Sequence, residues 1–461
     1  MESVREQREG RGPNVIRDSM EENERISMQQ IERTKGGRKE NTEESSVESI
    51  EESVALLKEI LAIPSVNGRD NEGAVAEYIA NYLRERNVDA SVQKIDETHA
   101  NVVAKVEGKS SEIVVWNGHL DTVPYGKLKE WNTDPAVPSE RDGRIYARGA
   151  SDMKSGLAAM VYLLGRIGET GKKPEQTILF LGTCDEEKNG LGAKNVLKEI
   201  NLSSVSLLLI GEPTGCKLGV AQKGCVWIQL NVSGKTSHGA YPEEGYNAVE
   251  YGMKIVHRIK KWIMTYEHRI LGKPTAQITM IRGGVAPNMT PDFAEILLDI
   301  RIIPGISTED VEREIQKICR EEEAELNGAV QFEIVVKNAR RAIEIADEEK
   351  WIQRLKEYFR LKGVKAEETG INYFTDASVL VQKESEIPVL LFGPGEPQSA
   401  HKPNEFVELK KYGKYIETLG EIFSINYQKK KKSCIIGRNT EAPECIENGQ
   451  RKCGASMLVE K

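Results

Sequence analysis

Three short, almost wholly apolar runs constrain the fold of this chain most: Ile113-Val-Val-Trp116, Thr177-Ile-Leu-Phe-Leu181 and Ser206-Leu-Leu-Leu-Ile210. They lack the alternation of a strand with one wet face. They read as strands buried on both faces, as in a parallel sheet. Helical spacing fills the intervals, at Val54–Leu61, Ala74–Leu83, Met153–Ile167 and Gly192–Glu199. Strands alternating with helices predict an α/β domain.

The pattern changes near residue 220. Val226–Val232 and Ala276–Ile281 alternate, and Phe293–Ile303 and Val330–Val336 are also strand-like. Helical stretches fall at Asn247–Met264 and Thr308–Leu326. The order strand–helix–strand–strand–helix–strand is the split βαβ pattern of a small α+β domain. After about Lys337 the chain returns to helix, strand (Ile387–Phe392) and a final helix (Leu409–Ile425). The predicted organisation is one α/β domain, 47–219 with 338–427, interrupted by an α+β domain at 220–337.

The remaining residues explain an unusually polar composition. Residues 1–46 hold 11 acidic and 9 basic side chains and no aromatic ring, so they are expected to be disordered, with transient helix around Glu21–Arg33. Residues 428–461 open with Lys429–Lys432 and carry Cys434, Cys445 and Cys453. Without a Cys-x-x-Cys pair or a nearby His, they read as a poorly ordered tail, not a metal site. The whole chain has 64 basic and 72 acidic residues, a net charge of −8. That argues against nucleic acid as a partner, because phosphate contact needs a basic face. No apolar run approaches the roughly 20 residues that span a bilayer. The start, Met-Glu-Ser-Val-Arg, has no apolar signal region. Seven Cys, an odd number, do not make a disulfide framework. A cytoplasmic setting without a membrane partner is expected.

Chemistry gathers where four buried-strand candidates are predicted to end. The first runs into Asn117-Gly-His119-Leu-Asp121, whose two polar side chains point the same way. The second, Arg148-Gly-Ala-Ser-Asp152, opens a helix, so Asp152 reads as a ligand or as an N-cap. The third is Gly182-Thr-Cys-Asp185-Glu186-Glu187, three acids that are expensive to bury without solvent or a cation. The fourth is Gly211-Glu212-Pro-Thr214. His401 follows the strand Ile387–Phe392 and joins them at the sheet edge where open α/β folds bind ligands. Two His and three carboxylates without thiolate suit zinc, cobalt or manganese. Five protein ligands exceed one tetrahedral zinc with an open position, so two metals sharing a carboxylate fit better.

Together these motifs resemble the M20 metallopeptidase and deacylase family over about residues 50–427. Gly-His119-Leu-Asp-Thr-Val, Gly-Ala-Ser-Asp152-Met-Lys, Asp-Glu186-Glu187, Gly-Glu212-Pro-Thr and Ala-His401-Lys-Pro-Asn-Glu carry the resemblance. It implies a zinc-exopeptidase-like α/β catalytic domain with an inserted ferredoxin-like lid that forms a homodimer contact. It implies that Asp152 bridges two metals, with Glu187 and His401 on one and His119 and Glu212 on the other. Glu186 would be the general acid/base and Asp121 would orient His119. His238, in Gly-Lys-Thr-Ser-His238, would enter the partner's site. Asn288 and Arg301 would hold a substrate carboxylate, with Thr375 as a further substrate contact; Tyr241 and Lys223 read as substrate contacts or as ordinary surface residues. His99, His257 and His268 match nothing and read as surface or structural.

One motif departs from the family. Its Gly-Gly-Thr-Asp-Ala-Arg is here Gly370-Ile-Asn-Tyr373-Phe374-Thr375-Asp376-Ala-Ser378. The rings of Tyr373 and Phe374 replace glycines and would reshape the pocket. The implied activity is amide hydrolysis of N-acyl amino acids by two divalent metals, zinc first, and desuccinylase-like on Glu212-Pro-Thr-Gly215 and Gln222-Lys-Gly224. A dipeptidase or carboxypeptidase on short peptides is the alternative. A non-catalytic binding protein is a weaker one, since all five ligands and Glu186 are present.

Overall fold

The computed structural model describes residues 39–382 and 387–425, with side chains from Ile50 onward. The expected helix at Glu21–Arg33 and the Lys/Cys tail lie outside the described residues. In chain order the first eight strands are β1 (Asp89–Lys94), β2 (Ala100–Val106), β3 (Ile113–His119), β4 (Ser139–Arg141), β5 (Arg144–Tyr146), β6 (Thr177–Thr183), β7 (Val205–Ile210) and β8 (Leu218–Gln222). The rest are β9 (Gly224–Ser233), β10 (Thr275–Gly283), β11 (Phe293–Ile302), β12 (Gln331–Arg340), β13 (Ile343–Glu344), β14 (Glu368–Ile371), β15 (Val389–Leu391) and β16 (Phe406–Glu408).

The first sheet runs β1-β2-β6-β3-β7-β15-β8-β13, with β14 also paired to β8. Its centre, β6-β3-β7-β15, is parallel, as the all-apolar runs predict. Its flanks are not, since β1, β2 and β6 pair antiparallel, as do β15 and β8. Val114 and Val115, Phe180 and Leu181, and Leu207 and Leu208 are buried as adjacent pairs, so both faces are covered and these strands carry no alternation. A separate three-stranded sheet, β16-β5-β4, lies off this one.

The helices are α1 (Lys39–Ala62), α2 (Gly73–Arg84), α3 (Lys154–Thr170), α4 (Leu191–Glu199), α5 (Ala248–Ile263), α6 (Thr308–Glu325), α7 (Lys350–Leu361), α8 (Ala377–Leu380) and α9 (Leu409–Ile422). α1 begins eight residues inside the segment expected to be disordered. Its Glu-rich sequence is a fair helix former, and the amphipathic turn at Val54–Leu61 extends it inward. α3 is buried from Lys154 to Ile167 and packs against β3, α1 and α9.

The second sheet runs β10-β11-β9-β12, wholly antiparallel. Because β9 and β10 both oppose β11, they run parallel with a strand between them, which is the split βαβ arrangement. Asn247 caps α5 by accepting from Val249 N and Glu250 N, and a Ser307–Asp310 capping box starts α6. Ile255, Ile259 and Ile315 from these helices pack on Ile228, Leu230, Ile296 and Leu298, forming a hydrophobic cluster distinct from that of the first sheet.

Two glycines let the backbones meet where the first sheet ends. A Cβ on Gly156, in the first turn of α3, would sit 2.0 Å from the Gly211 carbonyl oxygen just beyond β7. One on Gly395, after β15, would sit 2.1 Å from the Ser151 carbonyl oxygen. Gly→Ala inside a helix ordinarily stabilises by about 0.5–1 kcal/mol. Gly156→Ala is expected to reverse that sign and destabilise by about 1–3 kcal/mol, because helix and strand must part. Denaturant unfolding measures it, and an unchanged or raised midpoint would contradict this close packing.

Candidate metal centre and active site

The predicted ligands meet at the carboxyl edge of the parallel strands. His119 is the last residue of β3, Glu186 and Glu187 follow β6, Glu212 follows β7, and His401 lies on the loop after β15. Asp152 corrects the expectation of four such strand ends. It follows β5 of the small sheet, and reaches the site on the turn into α3. Nor does it cap that helix, because Met153 holds the cap position and no side chain bonds there.

Asp152 lies between the two imidazoles. His119 Nε2 is 3.1 Å from Asp152 Oδ1, and His401 Nε2 is 3.3 Å from Asp152 Oδ2. Each ring also faces one further acid: Glu212 Oε1 is 3.8 Å from His119 Nε2, and Glu187 Oε1 is 3.0 Å from His401 Nε2. The arrangement is two half-sites sharing one carboxylate. One ligand atom each from His119, Asp152 and Glu187 lies within 4.8 Å of the other two.

The charge in this space is unbalanced. Burial pushes the carboxyls of Glu186 and Glu212 well above the usual range, and neighbouring acids push them further. Burial also raises Glu187. Burial opposes ionisation of Asp152 too, but the two imidazoles win and hold it below the usual range. Burial opposes the charged form of His119, yet Asp152, Glu212 and Asp121 outweigh it and hold the ring well above its ordinary value. At His401, Asp152 and Glu187 overcome burial and push the ring up to about 10. Four acids around two imidazoles fit divalent cations, which supply the missing positive charge to oxygen and nitrogen donors.

Two supports behind the ligands were not assigned from sequence. Glu405 accepts from the backbone N of Ser151 (2.8 Å) and Asp152 (3.0 Å) and pairs with buried Arg148. Both residues stand inside the quoted motifs, but their pairing across the chain is invisible locally. Asp121 acts differently from its expected part. It is the Asp121 carbonyl oxygen that meets His119 Nδ1, at 2.9 Å, while its carboxylate is 3.7 Å away. That carboxylate instead accepts from the backbone N of Glu186 and of Glu187, both at 3.1 Å, and from Asn67 Nδ2 at 3.0 Å. Asp121 thus aims both the histidine and the two glutamates. Between them Asp185 takes a left-handed backbone (φ 58°), as does His401 (φ 61°), a conformation that needs surrounding bonds to hold it.

A cavity of about 310 Å³ opens on the ligands. Asp152, Glu186, Glu187, Glu212 and His401 line it together with Trp227, Arg301, Tyr373, Phe374, Pro397 and Ala400. Of the expected substrate contacts, only Arg301 reaches it, with its guanidinium bonded to Asp299. Thr375 lies behind the wall, donating to Gln222 Oε1 at 2.7 Å. Lys223 is buried and donates to the Lys273 carbonyl oxygen. His238, Tyr241 and Asn288 are exposed outside this cavity but close together: the His238 and Tyr241 rings are 5.9 Å apart, and Gly239 N donates to the Asn288 carbonyl oxygen. His257 is exposed, and His268 accepts from the Ile270 and Leu271 backbone, a structural part.

The model of peptidase family M20/M25/M40 matches residues 115–424. The chain belongs to this family. It is 29% identical over 413 residues to a probable succinyl-diaminopimelate desuccinylase of Staphylococcus aureus (strain N315), covering 83% of this chain and 99% of the relative. It is 26% identical to an acetylornithine deacetylase of Proteus mirabilis (strain HI4320), covering 80% and 95%. An M20 family metallo-carboxypeptidase of Sulfolobus solfataricus shares the fold, with a TM-score of 0.66 at 20% identity, covering 82% and 99%. So does a dinuclear metal-binding M20 peptidase of Bacillus subtilis, with a TM-score of 0.61 at 14% identity, covering 81% and 97%. This chain is therefore an M20-family hydrolase, and its His/Asp/Glu group is where the family's divalent metals fit.

A consequence concerns protons. With His401 pushed up to about 10, the ion-free M20 site keeps that ring protonated near neutral pH. A cation needs the neutral ring, so binding must expel the proton. Zinc affinity is expected to rise as pH rises towards that value and to weaken in acid. Calorimetric titration in two buffers of different ionisation enthalpy tests this, and zero proton release near neutral pH would contradict it.

Proposed function

We propose that this protein is a dinuclear, zinc-dependent amidohydrolase that cleaves the amide bond of N-acyl amino acids. The observation that carries the reading is Glu186. It is buried in the cavity beside the shared-carboxylate site, with its neighbour Glu187 turned onto His401. The deacylase substrate class is supported by the desuccinylase and deacetylase relatives, which match over nearly their full length. Asp152 would be shared, with His119 and Glu212 on one zinc and Glu187 and His401 on the other. Cobalt or manganese would suit the same donors.

When bound, such cations lower the pKa of a coordinated water and polarise an amide carbonyl. The protein's own part is proton handling and positioning. Glu186 takes the proton of the attacking water as the C–O bond forms, then delivers it to the amide nitrogen as the C–N bond breaks. Burial and the nearby Glu212 and Glu187 raise its proton affinity, which suits a group that must both accept and donate. Asp121 holds the turn on which it stands. Arg301, on β11 of the second sheet, would meet a substrate carboxylate.

We further read the second sheet as a lid through which the chain forms homodimers. The cluster of His238, Tyr241 and Asn288 lies outside the cavity of its own chain, which suits service in the partner's site. There His238 would donate to the oxyanion. A cytoplasmic setting is supported by Cys184, Cys216, Cys225 and Cys319, all buried and unpaired.

Glu186→Gln is expected to keep its zinc and lose kcat by at least about 10²-fold. Metal analysis and a panel of N-succinyl, N-acetyl and N-formyl amino acids beside dipeptides check it, with a chelated control. Retained turnover would remove Glu186 from the mechanism, and turnover of dipeptides alone would make the protein a peptidase. A second test mixes inactive His238→Ala with inactive Glu186→Gln. Mixed dimers should regain activity, since one of their two sites then holds both intact residues. Verified mixed dimers without activity would refute the role in the partner's site.

A further inference from the structure

Tyr373 is a residue that neither the ligand set nor the acid/base scheme uses. Its ring replaces a glycine of the family motif. It lines the cavity with Asp152, Glu186, Glu187, Glu212 and His401. Its Oη is buried and has no hydrogen-bond partner among the described residues. A buried hydroxyl left unpaired is costly.

The ring is also fixed. It packs against the apolar cluster that includes Leu181, Ala377 and Leu380. Two residues further on the chain is tied to the sheet: Thr375 donates to Gln222 Oε1, and Thr183 donates to Asp376 Oδ2. Burial, reinforced by the carboxylates of Asp152, Glu212, Glu186 and Glu187, keeps the proton on the phenol. The hydroxyl is therefore a neutral, unpartnered donor on a residue of the cavity wall that the ligand side chains share. Other donors there are committed, His401 to Asp152 and Glu187 and Arg301 to Asp299. Trp227 Nε1 is also unpartnered and lines the same cavity, from β9 of the second sheet.

We propose that Tyr373 is a catalytic residue whose Oη donates a hydrogen bond to the scissile carbonyl oxygen and to the oxyanion that oxygen becomes. This rests on the amide-hydrolase reading above. The phenol keeps its proton throughout. The C–O bond forms from water, the C–N bond breaks, and the only proton carried between them travels on Glu186. A rigid neutral donor suits this place, because it stabilises developing negative charge without adding a charge that competes for the acids.

The test is Tyr373→Phe in the full-length, zinc-loaded protein, which keeps the ring and removes Oη. Loss of one such donor is expected to lower kcat by about 10²-fold while KM moves by less than about threefold. Zinc content and unfolding temperature should not fall. A phosphinate in place of the amide, mimicking the tetrahedral oxyanion, should bind the variant weaker by a similar factor in calorimetry. Unchanged kcat, a rise in KM alone, or loss of zinc together with kcat would each overturn the proposal. If the wild-type protein hydrolyses no N-acyl amino acid or peptide, the functional reading fails by itself. The phosphinate comparison then decides Tyr373 alone, and equal affinity for both proteins overturns it.

Discussion

Asp152 is the contact on which the rest of the site depends. Its two oxygens face two imidazoles on opposite sides, so its position fixes the relation between the half-sites. Nothing local to the turn would place it there. Glu405, about 250 residues later, holds the Ser151 and Asp152 amides and is itself paired with Arg148. The close approach at Gly156 and Gly395 brings the same turn against the ends of β7 and the loop after β15. The pair of Glu405 and Arg148 is buried, and removing one partner of such a pair typically costs about 3–5 kcal/mol. A buried ion pair thus holds a turn.

The excess negative charge explains why the ligands can be ordered before any cation arrives. Protonated, His119 Nε2 donates to Asp152 and His401 Nε2 to Glu187, with Glu212 3.8 Å from the first ring. On binding, the same nitrogens present lone pairs towards the same space. Both states need His119 and His401 beside the carboxylates, so one packing serves both. His119 is locked further by the Asp121 carbonyl oxygen on its other nitrogen, which fixes which nitrogen faces the site.

Much of this was legible in the sequence because it is local. All-apolar runs gave the parallel strands, helical spacing gave α2, α3 and α5, and acids or histidines directly after those runs marked the ligands. What was not legible depends on distant pairing. Strand β1, Asp-Ala-Ser-Val-Gln-Lys, is too polar to stand out and exists because β2 offers it an edge. The three residues each of β4, β5 and β16 have no period of their own, so the source of Asp152 was misplaced. Asp121 was read as a bracket for His119 from spacing alone. Its other duty, to the Glu186 and Glu187 amides, crosses from β3 to the turn after β6. Thr375 and Lys223 show the reverse error: polar residues near the site whose hydrogen bonds are spent inward.

The altered motif at 370–378 has a further consequence for how the two sheets meet. Phe374 lies near both Arg301, at 5.7 Å on β11, and Arg340, at 5.6 Å where β12 ends and the chain leaves the second sheet. Guanidinium groups over an aromatic ring gain cation–π attraction, strongest where water is excluded. Arg340 also donates to the Asn189 carbonyl oxygen at 2.6 Å, on the stretch that follows Glu187. One ring thus joins the cavity's cation, the exit from the second sheet and the turn of the metal-facing acids. Glycine at this position could offer no such platform. In this chain Phe374 therefore lies by both Arg301 and the Arg340 that holds the Asn189 carbonyl oxygen, and any movement of the second sheet must break or carry these contacts.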